Sequence, residues 1–386
     1  MKDVIYFDNN ATTKTAPEVV ETMMPFFSEF YGNPSSMHTF GGKVAKYIDT
    51  ARQQVADLIG AHPQEIVFTS CGTESDNHAI IGAIRSQPEK KHLITTRVEH
   101  PAVLNTCQYL SKNGYELTEI PVDKQGRINL RDFEESITEN TAIISVMYAN
   151  NETGVIFPVE EMAEIAKQKG ILFHTDAVQA VGKIPIDMSK NTIDLMSISG
   201  HKLHTPKGIG VLYIRRGTHI QPLLLGGHQE KGRRGGTENV AYIVGLGTGC
   251  EIAGKYINEE NTKVKALRDK LEDALIKSCP DAILNGDKIN RLPNTSNISF
   301  QYIEGESILL LLNRENIAAS SGSACTSGSL EPSHVMRAMG VPYTAAHGSV
   351  RFSLSRYNTE EEVDYVIEKL PPIIKRLREI SPFGRD

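Results

Sequence analysis

Between about residue 60 and residue 215 the hydrophobic positions fall into short runs, each closed by polar residues. EIVFTS (65–70), HLITT (92–96), YELTEIP (115–121), TAIISVMYA (141–149), ILFHTDA (171–177), DLMSIS (194–199) and GIGVLYI (208–214) are rich in β-branched residues, and each predicts a strand. AIISV lacks apolar–polar alternation, as expected of a strand covered on both faces. Between several of the runs lie stretches with helical spacing: TESDNHAIIGAIR, PAVLNTCQYL, LRDFEESIT and PVEEMAEIAKQKG. Strand and helix in alternation predict an α/β domain with a mainly parallel sheet of these seven strands, flanked by helices.

A long helical pattern follows from Asn239 to Lys277. Its glycines between Gly245 and Gly249 predict a break or bend there. From about residue 280 the order changes, and TSNISF, SILLLLNRENI, SVRFSLS and TEEEVDYVIEKLPPIIKRLREI predict a smaller α+β domain. The boundary is expected within or just after the long helix, giving a large domain over 13–255 and a small one over 256–386. The first dozen residues fit either; 1–12 are placed with the small domain.

Composition narrows the function classes. The chain has 386 residues, 40% hydrophobic and 23% charged, enough for one large domain and a smaller one. The formal net charge is −6, which argues against a nucleic-acid footprint. SILLLL (307–312) is the longest apolar run, far too short to span a membrane. An Asp stands in MKDVIYFDNNATT where a secretory signal needs apolar bulk. The five cysteines, Cys71, Cys107, Cys250, Cys279 and Cys325, form no CxxC pair, and an odd number cannot all be paired. A reducing, cytoplasmic setting is therefore expected.

Ligands of an open α/β sheet sit beyond the carboxyl ends of its strands. After EIVFTS, Gly72 and Thr73 open a helix; they can cradle a phosphate or simply cap the helix. After HLITT, His100 precedes Pro101 at a helix start, a position that suits a surface residue as well as a catalytic one. NNETG (150–154) reads as a polar turn. Asp176, with Gln179 just beyond it, ends an apolar strand, where an acid calls for a cationic partner. Ser199, His201 and Lys202 end another. Lys202 fits a surface position or a low-pKa amine poised for Schiff-base chemistry. Together these supply a phosphate cup, a carboxylate, an amine and an aromatic partner. Those are the groups pyridoxal 5′-phosphate requires. No GxxxxGK[ST] or HExxH is present, GLGTGC lies inside a helical pattern, and the histidines lack metal-ligand spacing, so no metal site is expected.

Read in order, YFDNNATT (6–13), YGNPSSMH (31–38), FTSCGTESDN (68–77), EHPAV (99–103), NNETG (150–154), HTDAVQ (174–179), SISGHKLHTPKGIG (197–210), RRGGTEN (233–239), SSGSACTSGSLEPSHVMRAMG (320–340) and VRFSLSRYN (350–358) make the chain resemble the NifS/IscS-type cysteine desulfurases. These are class V aminotransferases of the fold type I pyridoxal-phosphate transferases. CTSGSLEPSHVMRAMG looks closer to the NifS branch. The resemblance implies that Lys202 bonds the cofactor aldehyde, Asp176 pairs with the pyridine nitrogen and Gln179 meets the phenolic oxygen. His100 would stack on the ring and move protons. Gly72, Thr73, Ser199 and His201 would hold the phosphate, with Thr237 reaching it from the partner subunit of a homodimer. Asn33, Asn151 and Arg351 would hold L-cysteine, Arg351 gripping the carboxylate as a bidentate fork. An iron–sulfur scaffold protein of the NifU/IscU kind would accept the sulfur, in nitrogenase or general cluster assembly.

Cys325 sits in SSGSACTSGSLEP (320–332), a stretch too small and polar to pack a core. The resemblance makes it the nucleophile that takes sulfur from the substrate, and glycines and serines leave such a thiol room to travel. A SufS-type desulfurase or selenocysteine lyase is the alternative, but Ser323-Ala324-Cys325-Thr326-Ser327 departs from the His-Cys-Ala core of that branch. A non-catalytic sulfur carrier on the same fold would be expected to have lost Lys202, which is present.

Overall fold

The computed structural model describes residues 4–321 and 332–382. Each of the seven runs predicted as strands forms one. After a short N-terminal β1 (Ile5–Tyr6) come β2 (Ile66–Thr69), β3 (His92–Thr96), β4 (Glu116–Ile120), β5 (Thr141–Ser145), β6 (Leu172–Asp176), β7 (Leu195–Ser199) and β8 (Gly210–Ile214). They form one sheet in the order β2-β8-β7-β6-β5-β3-β4. All neighbours are parallel except β8, which runs antiparallel to both β2 and β7. Of the inner strands, β3, β5, β7 and β8 are buried along their whole length and β6 at all but its first residue, whereas edge strand β4 opens on an exposed residue. One apolar core on one face runs from Ile48 and Val55 through Phe173 to Leu246 and Ala253. A second layer, including Ile80, Ala83, Val103 and Leu110, covers the other face.

The remaining strands are β9 (Ala282–Leu284), β10 (Thr295–Phe300), β11 (Ile317–Ala318) and β12 (Ser349–Ser353). β12, β10 and β9 form an antiparallel sheet, and β1 pairs in parallel with β11. They share a separate core of Phe7, Val264, Leu271, Phe300, Phe352, Val366 and Leu370. The helix Glu360–Ile380 closes this core, started by a capping box between Thr359 and Glu362. Val335, Met336 and Met339 return to the larger core.

The long helix differs from expectation in where it is interrupted. Val240–Glu259 is continuous through the glycines, and the irregular turn comes later, as a π-helical turn over Glu260–Val264. The glycines are there for close packing. A Cβ on Gly247 would lie 2.6 Å from Ala51 Cα, and one on Gly249 would lie 2.0 Å from Thr205 Cγ2. The widened turn instead carries Glu260, buried near the buried Lys183. Asn261 Nδ2 donates to the carbonyls of Lys183 and Ile257, each at 2.8 Å.

Candidate active site

The carboxyl ends of β2, β3, β5, β6 and β7 converge on a cavity of about 380 Å³. Gly72, Thr73, His100, Asn151 and Asp176 line it, together with Gln179, Ser199, His201, Lys202 and Arg351. All but Arg351 come from the strand ends of the large sheet and the connections that follow them; Arg351 comes from β12 of the smaller one. Thr237 and Asn33 lie elsewhere: they line a neighbouring cavity of about 250 Å³ with Phe26, Phe27 and Tyr31. Cys325 lies outside the described residues.

One end of the cavity is an anion cup. The helix Gly72–Ser86 points its N-terminus at it, with Cys71 at the cap position and no side chain bonding the first amides. Gly72 keeps this approach open, since a Cβ there would come within 2.9 Å of Val178 Cγ2 and 3.3 Å of Ser199 Cβ and force those side chains to shift. Free amides at a helix N-terminus favour a bound anion. His201 adds a ring whose Nδ1 is 3.1 Å from Thr12 Oγ1. Burial, then Lys202, pushes its pKa down to about 4.

Asp176 ends β6 and is buried, accepting from the Val178 amide at 2.9 Å. Burial raises its pKa, while His100 and Lys202 pull it back. His100 caps the helix Pro101–Lys112, its Nδ1 accepting from the Ala102 amide at 3.1 Å. Burial lowers its pKa, so the ring is held neutral with its proton on Nε2. Lys202 follows β7 in a tight turn, and its Nζ donates to the carbonyls of Asn10 and, at 2.7 Å, Ala11. Gln179 Nε2 donates to the same Asn10 carbonyl at 3.0 Å, leaving its buried Oε1 without a partner.

A second carboxyl group, not expected from the sequence, stands beside Asp176. Asp76 is 1% exposed, and oxygens of Asp76 and Asp176 and a ring nitrogen of His100 lie within 4.8 Å of one another. Burial and then Asp176 raise the Asp76 pKa well above the ordinary range, and Asp76 Oδ1 has no hydrogen-bond partner. The signal was present: Asp76 stands three and four residues before Ala79 and Ile80, on the buried face of its helix. Asn10 and Ala11, whose carbonyls meet Lys202, were likewise given no role.

Under the cavity, His174 ties three strands together. Its Nδ1 is 2.8 Å from Ser145 Oγ on β5, and its Nε2 is 2.9 Å from Ser197 Oγ on β7. Complete burial pushes its pKa down to about 3. The unfolded chain, with an ordinary histidine near 6.5, therefore takes up this proton first. The contribution is fully present above about pH 6.5 and is lost as pH falls toward 3. The advantage of wild type over His174→Gln in urea unfolding is expected to shrink by about 2 kcal/mol between pH 6.5 and pH 4.5. An advantage that does not change with pH would contradict this assignment.

Residues 5–366 match the aminotransferase class-V family. The chain is 61% identical over 380 residues to "Cysteine desulfurase NifS" of Azotobacter vinelandii, covering 98% of this chain and 94% of that one. It is 56% identical to a cysteine desulfurase of Gluconacetobacter diazotrophicus, covering 99% and 96%. Among solved structures, a "NIFS-like protein" superposes with a TM-score of 0.91 at 42% identity, covering 97% of this chain and all of that one. "SspA in complex with cysteine" superposes with a TM-score of 0.81 at 38% identity, covering 92% and 100%. Matches of this length and identity, on a fold that gathers ten of the expected residues around one cavity, place the chain in the class-V aminotransferase family, among its cysteine desulfurases of the NifS kind.

Proposed function

We propose that the protein converts L-cysteine to L-alanine with pyridoxal 5′-phosphate as cofactor and passes the sulfur to Cys325. The observation that carries this reading is the convergence of Lys202, Asp176, His100 and the Gly72 cup on one cavity. The residues fit the cofactor. The cup is floored by a glycine where a Cβ would crowd Val178 and Ser199, a buried acid stands at one wall, and the buried Gln179 amide and Asp76 carboxyl keep unpartnered oxygens.

Gly72, Thr73, Ser199 and His201 would hold the phosphate, Asp176 the pyridine nitrogen and Gln179 the phenolic oxygen. Lys202 would hold the aldehyde. When bound, the cofactor supplies a sink for negative charge developing at the substrate Cα. The Lys202 amine would take a proton at that carbon and return it. Neutral His100 would stack on the ring and, carrying its proton on Nε2, could give that proton up and take it back. Asn151 and Arg351 orient the substrate. The Cys325 thiolate attacks the substrate sulfur, so the carbon–sulfur bond breaks and a sulfur–sulfur bond forms. L-Cysteine and the Cys325 thiol thus become L-alanine and a Cys325 persulfide.

Thr237 stands outside its own chain's cavity, beside Phe27 and Tyr31, which are 56% and 72% exposed. This supports a homodimer in which Thr237, with Asn33 next to it, completes the partner's site. The division into 13–255 and 1–12 with 256–386 is proposed with it, Arg351 entering the cavity from the smaller unit. An iron–sulfur scaffold is the proposed sulfur acceptor. Four described cysteines, Cys71, Cys107, Cys250 and Cys279, are free, which suits the reducing cytoplasm proposed as its location. No helix among the described residues is long and apolar enough to cross a membrane.

Removal of the cofactor tests the reading. Protein stripped with hydroxylamine and dialysed is expected to lose alanine formation from L-cysteine and to regain it with added pyridoxal 5′-phosphate. Undiminished alanine formation by the stripped protein would refute it.

A further inference from the structure

The guanidinium of Arg351 is already engaged before any substrate arrives. Its Nη2 donates to Asp8 Oδ1 at 2.8 Å, and its Nη1 donates to the Asn151 carbonyl at 2.9 Å. The Arg351 side chain is 3% exposed and that of Asp8 is 19% exposed. Arg351 Nε is buried without an acceptor. The bidentate fork expected from the sequence is thus half-committed, one proton of each terminal nitrogen being taken.

Asp8 is not a casual surface partner. The Asp8 carbonyl accepts from the Ala11 amide at 3.0 Å, closing a turn that sets the Asn10 and Ala11 carbonyls on Lys202 Nζ. Asp8 also bridges to Ser353, two residues beyond Arg351 on β12. One short segment therefore touches both the amine proposed for proton transfer and the cation proposed for the carboxylate.

We propose that Asp8 sets the strength of the substrate-carboxylate site by partly neutralising Arg351. The proposal rests on the desulfurase reading above. Its chemical reason lies in the product. L-Cysteine and L-alanine carry the same α-amino and α-carboxylate groups, so a bare buried guanidinium would hold both tightly. Binding strength shared by substrate and product does not speed the chemical step and slows release. A fixed negative charge on the same guanidinium weakens both, while its hydrogen bond keeps the fork in place.

The test uses holoenzyme and two ligands, L-alanine and L-alaninamide, which differ at the carboxylate. Equilibrium binding is followed by the cofactor's absorption band. Asp8→Asn keeps an oxygen acceptor for Nη2 and removes the charge. It is expected to raise the preference for L-alanine over L-alaninamide on the order of tenfold, as one unit charge acts at this range in a medium between water and protein. KM for L-cysteine should fall, and inhibition by L-alanine should strengthen. Asp8→Ser carries the same expectation for the preference should the asparagine variant fold poorly. An unchanged or reduced preference in the charge-removing variants overturns the proposal. The binding ratio is read without turnover, so failure of the desulfurase reading shows separately, as absence of alanine formation from L-cysteine by the wild type.

Discussion

Lys202→Ala is expected to form alanine from L-cysteine at least about 10³-fold more slowly than the wild type. The loss is large because one side chain carries two tasks. In the proposed reaction its amine would bond the cofactor aldehyde, and the same amine would move the Cα proton. Both tasks need an amine that can lose its charge. Lys202 lies in a cavity beside His100 and Asp176, and it is held on the Asn10 and Ala11 carbonyls at the turn after β7. Lys202→Arg is expected to fail equally, since a guanidinium stays protonated. A small amine such as ethylamine fits the space left in Lys202→Ala and is expected to restore part of the proton transfer. The assay is alanine released under reducing conditions, with bound cofactor measured in parallel. Activity within tenfold of wild type in Lys202→Ala would remove Lys202 from the centre of the account.

The large sheet was legible because its physics is local. Strands covered on both faces are mostly apolar, and the chemistry follows where they end, so Asp176, Ser199 and His100 announce themselves at or just after strand ends. The smaller sheet is less open to reading. β10, TSNISF, is buried at all six positions although four of them are polar. Its polar groups are satisfied from far along the chain: Ser296 by Glu272, and Asn297 by Asn285. The pairing of Ile5 with Ile317 has no local signature either. The misplaced helix interruption has the same origin. Glycines such as Gly247 read as breakers until the neighbouring Ala51 is seen against them, and the π-helical turn carries Glu260 against Lys183, which lies far from it in sequence. Asp8 and Asp76 were missed because their meaning comes from partners, Arg351 and Asp176, that lie 343 and 100 positions away.

Cys325→Ala is the second large loss expected. The other cysteines do not stand in for it. Cys107 and Cys250 are buried, and burial pushes the first thiol well above the ordinary range and the second up to about 12. Neither can supply a thiolate near neutral pH. Burial raises the Cys279 pKa too, and that residue packs in the smaller core. Cys71 lines the cup, where its Sγ accepts from Ser70 Oγ at 3.6 Å, and the account gives it no share in sulfur transfer. In the proposed reaction Cys325→Ala would therefore remove the acceptor of the substrate sulfur, while Lys202, Asp176 and His100 stay as they are. The variant should still bind L-cysteine and change the cofactor's absorption, because those events precede sulfur transfer. Alanine release should fall at least about 10²-fold, the lower range for a missing catalytic group.

The most direct measurement is alanine and sulfide quantified together, from L-cysteine and a thiol reductant, for wild type and Cys325→Ala. Equal amounts of both are expected from the wild type, and neither from the variant although its cofactor band still responds to L-cysteine. Full production of both by Cys325→Ala would contradict the proposed reaction.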